Sequence, residues 1–238
     1  MRLPAGRTRE VLEQGGLYVL TGADLARGLS HREIVAAALA GGANLIQLRD
    51  KHADARRYFE VARELQPLCA ARGVPLIVND RLDVALAAGA DGVHLGQDDL
   101  PVAAARALSR AAGRPDLAIG LSTHGPEQAK TGVTSGADYL GVGPIYPTRT
   151  KDYCVGIEYA RWAGEHLDRP WTVSGGVTEE RLEEIARTGA RWIVVIQAIN
   201  AAADIEAATR RLKQRWAEAR AQAFARPAGA APQTGVSR

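Results

Sequence analysis

Gln47, Arg49 and Lys51 stand two residues apart in the stretch NLIQLRDKHAD (44–54). Side chains at that spacing share one face of an extended strand. An amide, a guanidinium and an ammonium on one face make a cationic, donor-rich surface that an anionic ligand would satisfy. Such groups are costly to bury unpaired. A ligand, internal carboxylates or an open strand face must therefore satisfy them.

Further polar groups follow later apolar runs. VNDRLD places Asn79 and Asp80 at the end of one run, and HLGQDDL places Asp98 and Asp99 just before Leu100-Pro101. Carboxylates beside cations can form plain ion pairs. They can also hold Mg²⁺, which takes one or two carboxylates and completes its shell with water and phosphate oxygens. Asp98 or Asp99 can equally cap the helix that begins after them. Spacing leaves all three roles open. In LSTHGPEQAK, Ser122 and Thr123 precede Pro126, which suits a first helical position. GPIYPTRTKDY is stiffened by Pro144 and Pro147 and then presents Thr148, Thr150 and Lys151, a set suited to phosphate. SGGVTEERLEEIA puts Gly175 and Gly176 before a helix starting near Thr178, whose free N–H groups can face an anion.

These groups need elements to position them. Short apolar runs at 17–21, 44–49, 75–79, 92–95, 117–122, 139–143, 171–175 and 192–196 read as strands. Stretches of helical period lie near 30–40, 53–72, 81–88, 101–112, 126–134, 156–167, 178–188 and 203–224. Strict alternation of strands and helices implies βαβ units and a parallel sheet. Eight units in this length predict an α/β fold, a single (β/α)8 barrel, in preference to a doubly wound open sheet. In a barrel the C-terminal mouth gathers the loops after the strands, so the polar groups above converge there. The phrases GGANLIQ, AGADGVH, SGADYLG and TGARWIV repeat one junction, a helix-stopping glycine before a buried strand. The expected organisation is an N-terminal extension at 1–14, a catalytic barrel at 15–224 and a disordered tail at 225–238.

Of the 238 residues 46% are hydrophobic and 24% charged, an ordinary globular balance. The net charge of +3 is spread along the chain, and no interleaved basic and aromatic patch suggests nucleic acid. No segment approaches the ~20 apolar residues of a membrane span, and the N-terminus has no apolar signal core. Cys69 and Cys154 lack metal-ligand spacing and read as reduced thiols. The expectation is a cytoplasmic protein with small-molecule partners, no nucleic acid and no membrane. Its oligomeric state is left open, a homo-oligomer included.

Taken together, QLRDK, NDRLDVALAAGADGVHLGQDD, GLSTH, GPIYPTRTK and SGGV resemble, in order and spacing, the thiamine-phosphate synthase family. The resemblance runs from about Tyr18 to Asp204. It implies a (β/α)8 barrel that joins a hydroxymethylpyrimidine diphosphate to a thiazole phosphate and releases pyrophosphate. It also implies roles: Gln47, Arg49, Lys51, Asn79, Ser122 and Lys151 on the pyrimidine diphosphate; Asp80 and Asp99 on one Mg²⁺ per subunit; and Thr148, Arg149, Thr150, Gly176, Ile196 and Gln197 on the thiazole phosphate. Arg49, Lys51 and Lys151 would form the catalytic clamp on the leaving group. Neither His94 nor His124 is expected to be catalytic. The chain departs from the family pattern at Gly22, where an acidic residue is common, at Val173-Ser174-Gly175-Gly176, and at Gln197-Ala198-Ile199, where Ser-Ala-Ile is usual. Two rivals are a thiazole tautomerase-like paralogue and a non-catalytic thiamine-precursor binding protein. Neither needs the full set of diphosphate and metal groups.

Overall fold

The computed structural model describes residues 3–22, 28–148 and 152–225. Eight parallel strands close into a barrel in chain order: β1 (Gly16–Leu20), β2 (Leu45–Leu48), β3 (Leu76–Asn79), β4 (Gly92–Leu95), β5 (Ala118–Thr123), β6 (Tyr139–Val142), β7 (Trp171–Val173) and β8 (Trp192–Val195), with β8 pairing back to β1. Helix α1 (Arg7–Gln14) precedes the first strand. The outer ring follows as α2 (His31–Ala40), α3 (Ala55–Ala70), α4 (Leu82–Ala88), α5 (Val102–Ala111), α6 (Pro126–Thr134), α7 (Ile157–His166), α8 (Leu182–Ala186), α9 (Gln197–Asn200) and α10 (Ile205–Ala225). The predicted alternation is thus observed. The last strand pairs with the first, which an open doubly wound sheet does not do.

Two apolar layers fill the molecule. Between strands and helices lies a large core that includes Ile46, Leu48, Val78, Val93, Leu140 and Ile193. Inside the barrel lies a smaller cluster of Tyr18, Leu20, Leu45, Ile77, Ala118, Tyr139, Trp192 and Val194. From below, α1 inserts Val11 and Leu12 into that inner cluster, and the Trp192 indole N–H donates to the Leu12 carbonyl at 2.7 Å. Only Thr8, Val11 and Leu12 of α1 are buried, so RTREVLEQ carries little helical period to read.

Three boundaries bear on the site. β2 ends at Leu48, so Arg49 and Lys51 have left the ladder for the loop, although Gln47 lies on the strand. β7 ends at Val173, two residues before the expected limit. The helix expected at 178–188 begins as a tight 3₁₀ turn at Glu179–Arg181 and continues as α8. That turn brings Arg181 back, and its guanidinium donates to the Gly176 carbonyl at 2.6 Å.

The repeated junction has a physical purpose. Its glycines, Gly42, Gly89, Gly136 and Gly189, all adopt the left-handed conformation, with φ of 91°, 73°, 88° and 83°. At the first three of these junctions the polar residue two places later caps the preceding strand. Asn44 Oδ1 accepts from Leu17 N–H at 3.1 Å, Asp91 Oδ2 from Leu76 N–H at 2.9 Å, and Asp138 Oδ2 from Ile119 N–H at 2.8 Å. The N–H groups at the feet of β1, β3 and β5 thereby find acceptors just before the next strand. Asn44→Ala leaves the Leu17 N–H unmet and should lower stability by about 1–3 kcal/mol. Urea unfolding should show this as a lower midpoint with unchanged slope, and turnover should be preserved because the foot of the barrel is remote from the rim.

Candidate active site

The inner face of the barrel turns polar toward its C-terminal end. Gln47 is 1% exposed, and its Nε2 donates to the Tyr18 hydroxyl at 2.6 Å. Tyr18 and Tyr139 hydroxyls lie 3.1 Å apart, Tyr139 is 3.0 Å from His94 Nδ1, and His94 Nε2 is 2.9 Å from Ser122 Oγ. Desolvation in the lumen pushes His94 down to about 4, with the Asp99 charge opposing, so its ring is neutral at pH 7. Burial likewise raises the Tyr18 and Tyr139 hydroxyls, which stay protonated. Sequence reading placed Ser122 and Gln47 near one ligand. It did not anticipate that Tyr18, Tyr139 and His94 connect them.

Above this layer, the loops after β3 and β4 bring two carboxyls together. Asp80 has φ 62°, a left-handed conformation uncommon outside glycine, and its N–H donates to the His94 carbonyl at 2.8 Å. Asp99 is held by the Gly96 N–H, which donates to its Oδ2 at 2.6 Å. Helix α5 takes Pro101 as its N-cap with no side-chain cap, so neither Asp98 nor Asp99 caps it. The Asp80 carboxyl is raised to about 6, by burial first and then by the charge of Asp99, to which it also hydrogen-bonds; Lys51 and Arg49 pull the other way. The four groups thus share one electrostatic neighbourhood. Among the described residues no salt bridge engages Arg49 or Lys51, which separates them from the paired cations elsewhere, such as Arg81 on Asp83. The backbone carrying Arg49 is anchored by its N–H donating to Thr21 Oγ1 at 3.0 Å. Asp50 accepts from the N–H groups of His52 and Ala53 at 2.9 and 3.1 Å, and pairs with His31 at 3.2 Å.

Half-buried Asn79 ends β3 beside Asp80. Tyr58, from α3, donates to the carbonyls of Leu48 at 2.8 Å and Asn79 at 3.2 Å, tying together the two strand ends that carry Arg49 and Asp80. This buried tyrosine in an otherwise amphipathic helix was the only signal of that tie in the sequence. Two carboxyls facing each other, beside cations that enter no salt bridge among the described residues, suit one divalent ion. Among the described residues there is no group of three or more His, Cys, Asp or Glu placed to hold a metal. A two-carboxylate site fits Mg²⁺, which commonly relies on substrate oxygens for the remainder.

On the opposite rim, loops six and seven interlock. Ile145 N–H donates to the Ser174 carbonyl at 2.9 Å, and Tyr146 N–H to the Gly175 carbonyl at 3.3 Å. Gly176, at φ 63°, could not bear a side chain, because a Cβ would meet Tyr146 Cβ at 2.7 Å and Arg181 Nη1 at 2.8 Å. Thr148 is half-buried in the loop after β6. Arg149, Thr150 and Lys151 lie outside the described residues. Ile196 is half-buried and N-caps α9, which starts at exposed Gln197. Buried Asn200 ties the ends of β8 and β1: its Nδ2 donates to Leu20 O at 2.9 Å and its Oδ1 accepts from Gly22 N–H at 2.8 Å. The backbone N–H of Gly22, the position without the family's usual acid, is thus already engaged. Of the expected residues, Gln47 and Ser122 share the hydrogen-bonded chain, and Arg49, Lys51, Asp80 and Asp99 share the charged neighbourhood. Gly176 belongs to the loop six–seven contact, and Ile196 and Gln197 stand at the end of β8.

Fold and rim together define a (β/α)8-barrel enzyme with a cation-bearing mouth. Relatives narrow this. The family model described as thiamine monophosphate synthase matches residues 17–199. The thiamine-phosphate synthase of Chloroflexus aurantiacus is 46% identical over 200 residues, covering 83% of this chain and 90% of that protein. That of Natronomonas pharaonis is 45% identical over 202 residues, covering 83% and 92%. A solved structure of thiamine phosphate pyrophosphorylase from Pyrococcus furiosus superposes with a TM-score of 0.80 at 36% identity, covering 89% of this chain and 98% of that one. A 3-hexulose-6-phosphate synthase at 20% identity and a TM-score of 0.62 shares the fold alone. The chain belongs to the thiamine-phosphate synthase family, transferases of thiamine biosynthesis. Among the described residues no helix is long and apolar enough to cross a membrane.

The raised Asp80 carboxyl sets a pH dependence. Its folded value of about 6 exceeds the ordinary aspartate value, so between the two the folded state holds an extra proton. Stability of metal-free protein should therefore fall as pH rises from about 4 to about 6, the ordinary value being about 3.9. Thermal unfolding in chelator at stepped pH should show that slope in the wild type and a flatter one in Asp80→Asn, which tolerates the left-handed backbone. A divalent ion competes with the same proton, so its affinity should rise with pH up to about 6 and level off above.

Proposed function

We propose that the rim couples the two precursors by dissociative substitution at the pyrimidine methylene carbon. The chain carries the thiamine-phosphate synthase family match over 17–199, and the observation that supports this chemistry is the Asp80–Asp99 pair beside Arg49 and Lys51. In this reading the C–O bond to the diphosphate breaks with its electron pair leaving on pyrophosphate. The electron-rich aminopyrimidine tolerates the resulting cation. The thiazole nitrogen then donates its lone pair to form the C–N bond. No proton has to leave in that bond-making step, so no general base is required.

The demand on the protein is to stabilise charge on the departing pyrophosphate and to hold nitrogen against carbon. Fixed cations in a mouth partly shielded from water are effective at the first task. Arg49 and Lys51 supply them, and Asn79 offers an amide beside them. Asp80 and Asp99 would hold Mg²⁺, which would supply Lewis-acid charge to the diphosphate oxygens. Gln47 and Ser122 bind the pyrimidine ring from the lumen side. Gly176, Thr148 and the backbone at Ile196 and Gln197 receive the thiazole phosphate, where Gln197 replaces a smaller family serine. Arg149, Thr150 and Lys151 join this scheme on sequence position alone, Lys151 as a third cation on the leaving group. The catalytic unit is the barrel at 15–224, working in the cytoplasm.

The deciding experiment mixes purified protein with both precursors and Mg²⁺ and quantifies thiamine phosphate and pyrophosphate, which should form in equal amounts. A tautomerase or a binding protein would release no pyrophosphate. Arg49→Gln should lower kcat/KM for the pyrimidine diphosphate about 10²–10³-fold, the usual scale for losing one group that meets transition-state charge. An unchanged value would remove Arg49 from the clamp.

A further inference from the structure

The hydrogen-bonded chain beneath the mouth has a direction. Gln47 Nε2 can only donate, so the Tyr18 hydroxyl accepts from it and its own proton goes on to Tyr139. Tyr139 then donates to His94 Nδ1, which places the His94 proton on Nε2, and that N–H donates to Ser122 Oγ. The chain crosses the barrel from β2 through β1, β6 and β4 to β5. Two groups remain unmet at its ends. Gln47 Oε1 is buried without a partner, and the Ser122 hydroxyl proton has no acceptor among the described residues.

Space for this chain is cut out of the neighbouring strands. A Cβ on Gly120 would stand 2.2 Å from Tyr139 Cζ and 2.5 Å from His94 Nδ1, and one on Gly141 would stand 3.1 Å from His94 Cε1. Glycine weakens a strand interior and is found where another group must come close. The barrel thus gives up two side chains on β5 and β6 to admit the His94–Tyr139 contact. An unmet buried acceptor in a folded protein calls for an explanation. A ligand donor provides it.

We propose that Tyr18, Tyr139 and His94 are positioning residues that set the hydrogen-bonding polarity of the pyrimidine pocket. They hold Gln47 Oε1 as an acceptor and Ser122 Oγ–H as a donor, matching a ring that carries an exocyclic amine and an acceptor nitrogen. The proposal rests on Gln47 and Ser122 contacting the pyrimidine, as above. Reversing one bond reverses them all, so the two ends cannot be switched independently. A 4-oxo analogue offers a carbonyl where the amine stood and meets Gln47 with acceptor against acceptor.

Tyr139→Phe removes the central hydroxyl with little change in volume. It should raise KM for the pyrimidine diphosphate about tenfold, the scale of one reoriented hydrogen bond, while KM for the thiazole phosphate stays within about twofold. It should also reduce, by about tenfold, the preference for the amino substrate over its 4-oxo analogue. His94→Leu should behave alike. His94→Gln, which can accept at one atom and donate at another, should recover most of the discrimination. An unchanged preference in Tyr139→Phe, or equal losses for both substrates accompanied by a lower Tm, would overturn the proposal. Wild-type turnover is the control: if the wild type makes no thiamine phosphate, the functional reading fails and the chain is judged by ¹⁵N-histidine NMR. There, a fixed Nε2–H tautomer at His94 that is lost in Tyr139→Phe supports the directed chain, and an Nδ1–H tautomer in the wild type refutes it.

Discussion

A closed ring of parallel strands has an inside that must be filled, and any polar group admitted there must find a partner. The rest of the structure follows from how this barrel meets that demand. Trp192, Leu45, Ile77 and the α1 residues Val11 and Leu12 fill the lower lumen with apolar volume. Higher up, where the filling gives way to Gln47, Tyr18, Tyr139, His94 and Ser122, each side chain bonds the next. At the two ends of that run, Gln47 Oε1 has no partner and the Ser122 hydroxyl proton has no acceptor among the described residues. The transition from apolar floor to polar mouth therefore fixes where chemistry is possible before any loop is considered.

The loops add charge that the backbone will not let relax. Asp80 sits in a left-handed conformation pinned through its own N–H, and Asp99 is pinned through Gly96. Burial and the neighbouring Asp99 charge together favour a proton on Asp80, whose carboxyl is raised to about 6. Strand β4 ties this pair to the lumen, since the His94 carbonyl accepts from Asp80 while its ring continues the chain to Ser122. One residue thus carries both the carboxylate loop and the hydrogen-bonded floor beneath it.

Much of this was readable in the sequence, for definite reasons. Parallel strands covered on both faces read as continuous apolar runs, so all eight strands could be located, and barrel topology then sent Arg49, Lys51, Asp80 and Asp99 to one rim. The lumen chain was not readable by the same route. Tyr18, Tyr139 and His94 sit inside apolar runs, where tyrosine passes for core and a histidine for an isolated rim group. Their signature was volumetric: the glycines of LAIGLS and YLGVG lie in strand interiors, opposite large side chains that only the barrel brings near. Helix α1 escaped notice because three buried residues make no period. Tyr58 and Asn200 act through backbone carbonyls far along the chain, which no local pattern encodes.

The barrel is sealed where its first and last strands meet. Gly16 N–H reaches the Arg191 carbonyl at 2.9 Å, Asn200 clasps Leu20 and Gly22, and Trp192 bonds back to Leu12. Of the eight strands, β1 leaves a ribosome first and its partner β8 last, so one edge of the nascent sheet stays unpaired until the other seven strands have been made. An apolar run such as LYVL with an open edge invites association with other chains. Completion of the barrel, and with it protection from that fate, waits on the arrival of the segment around Trp192 to Asn200.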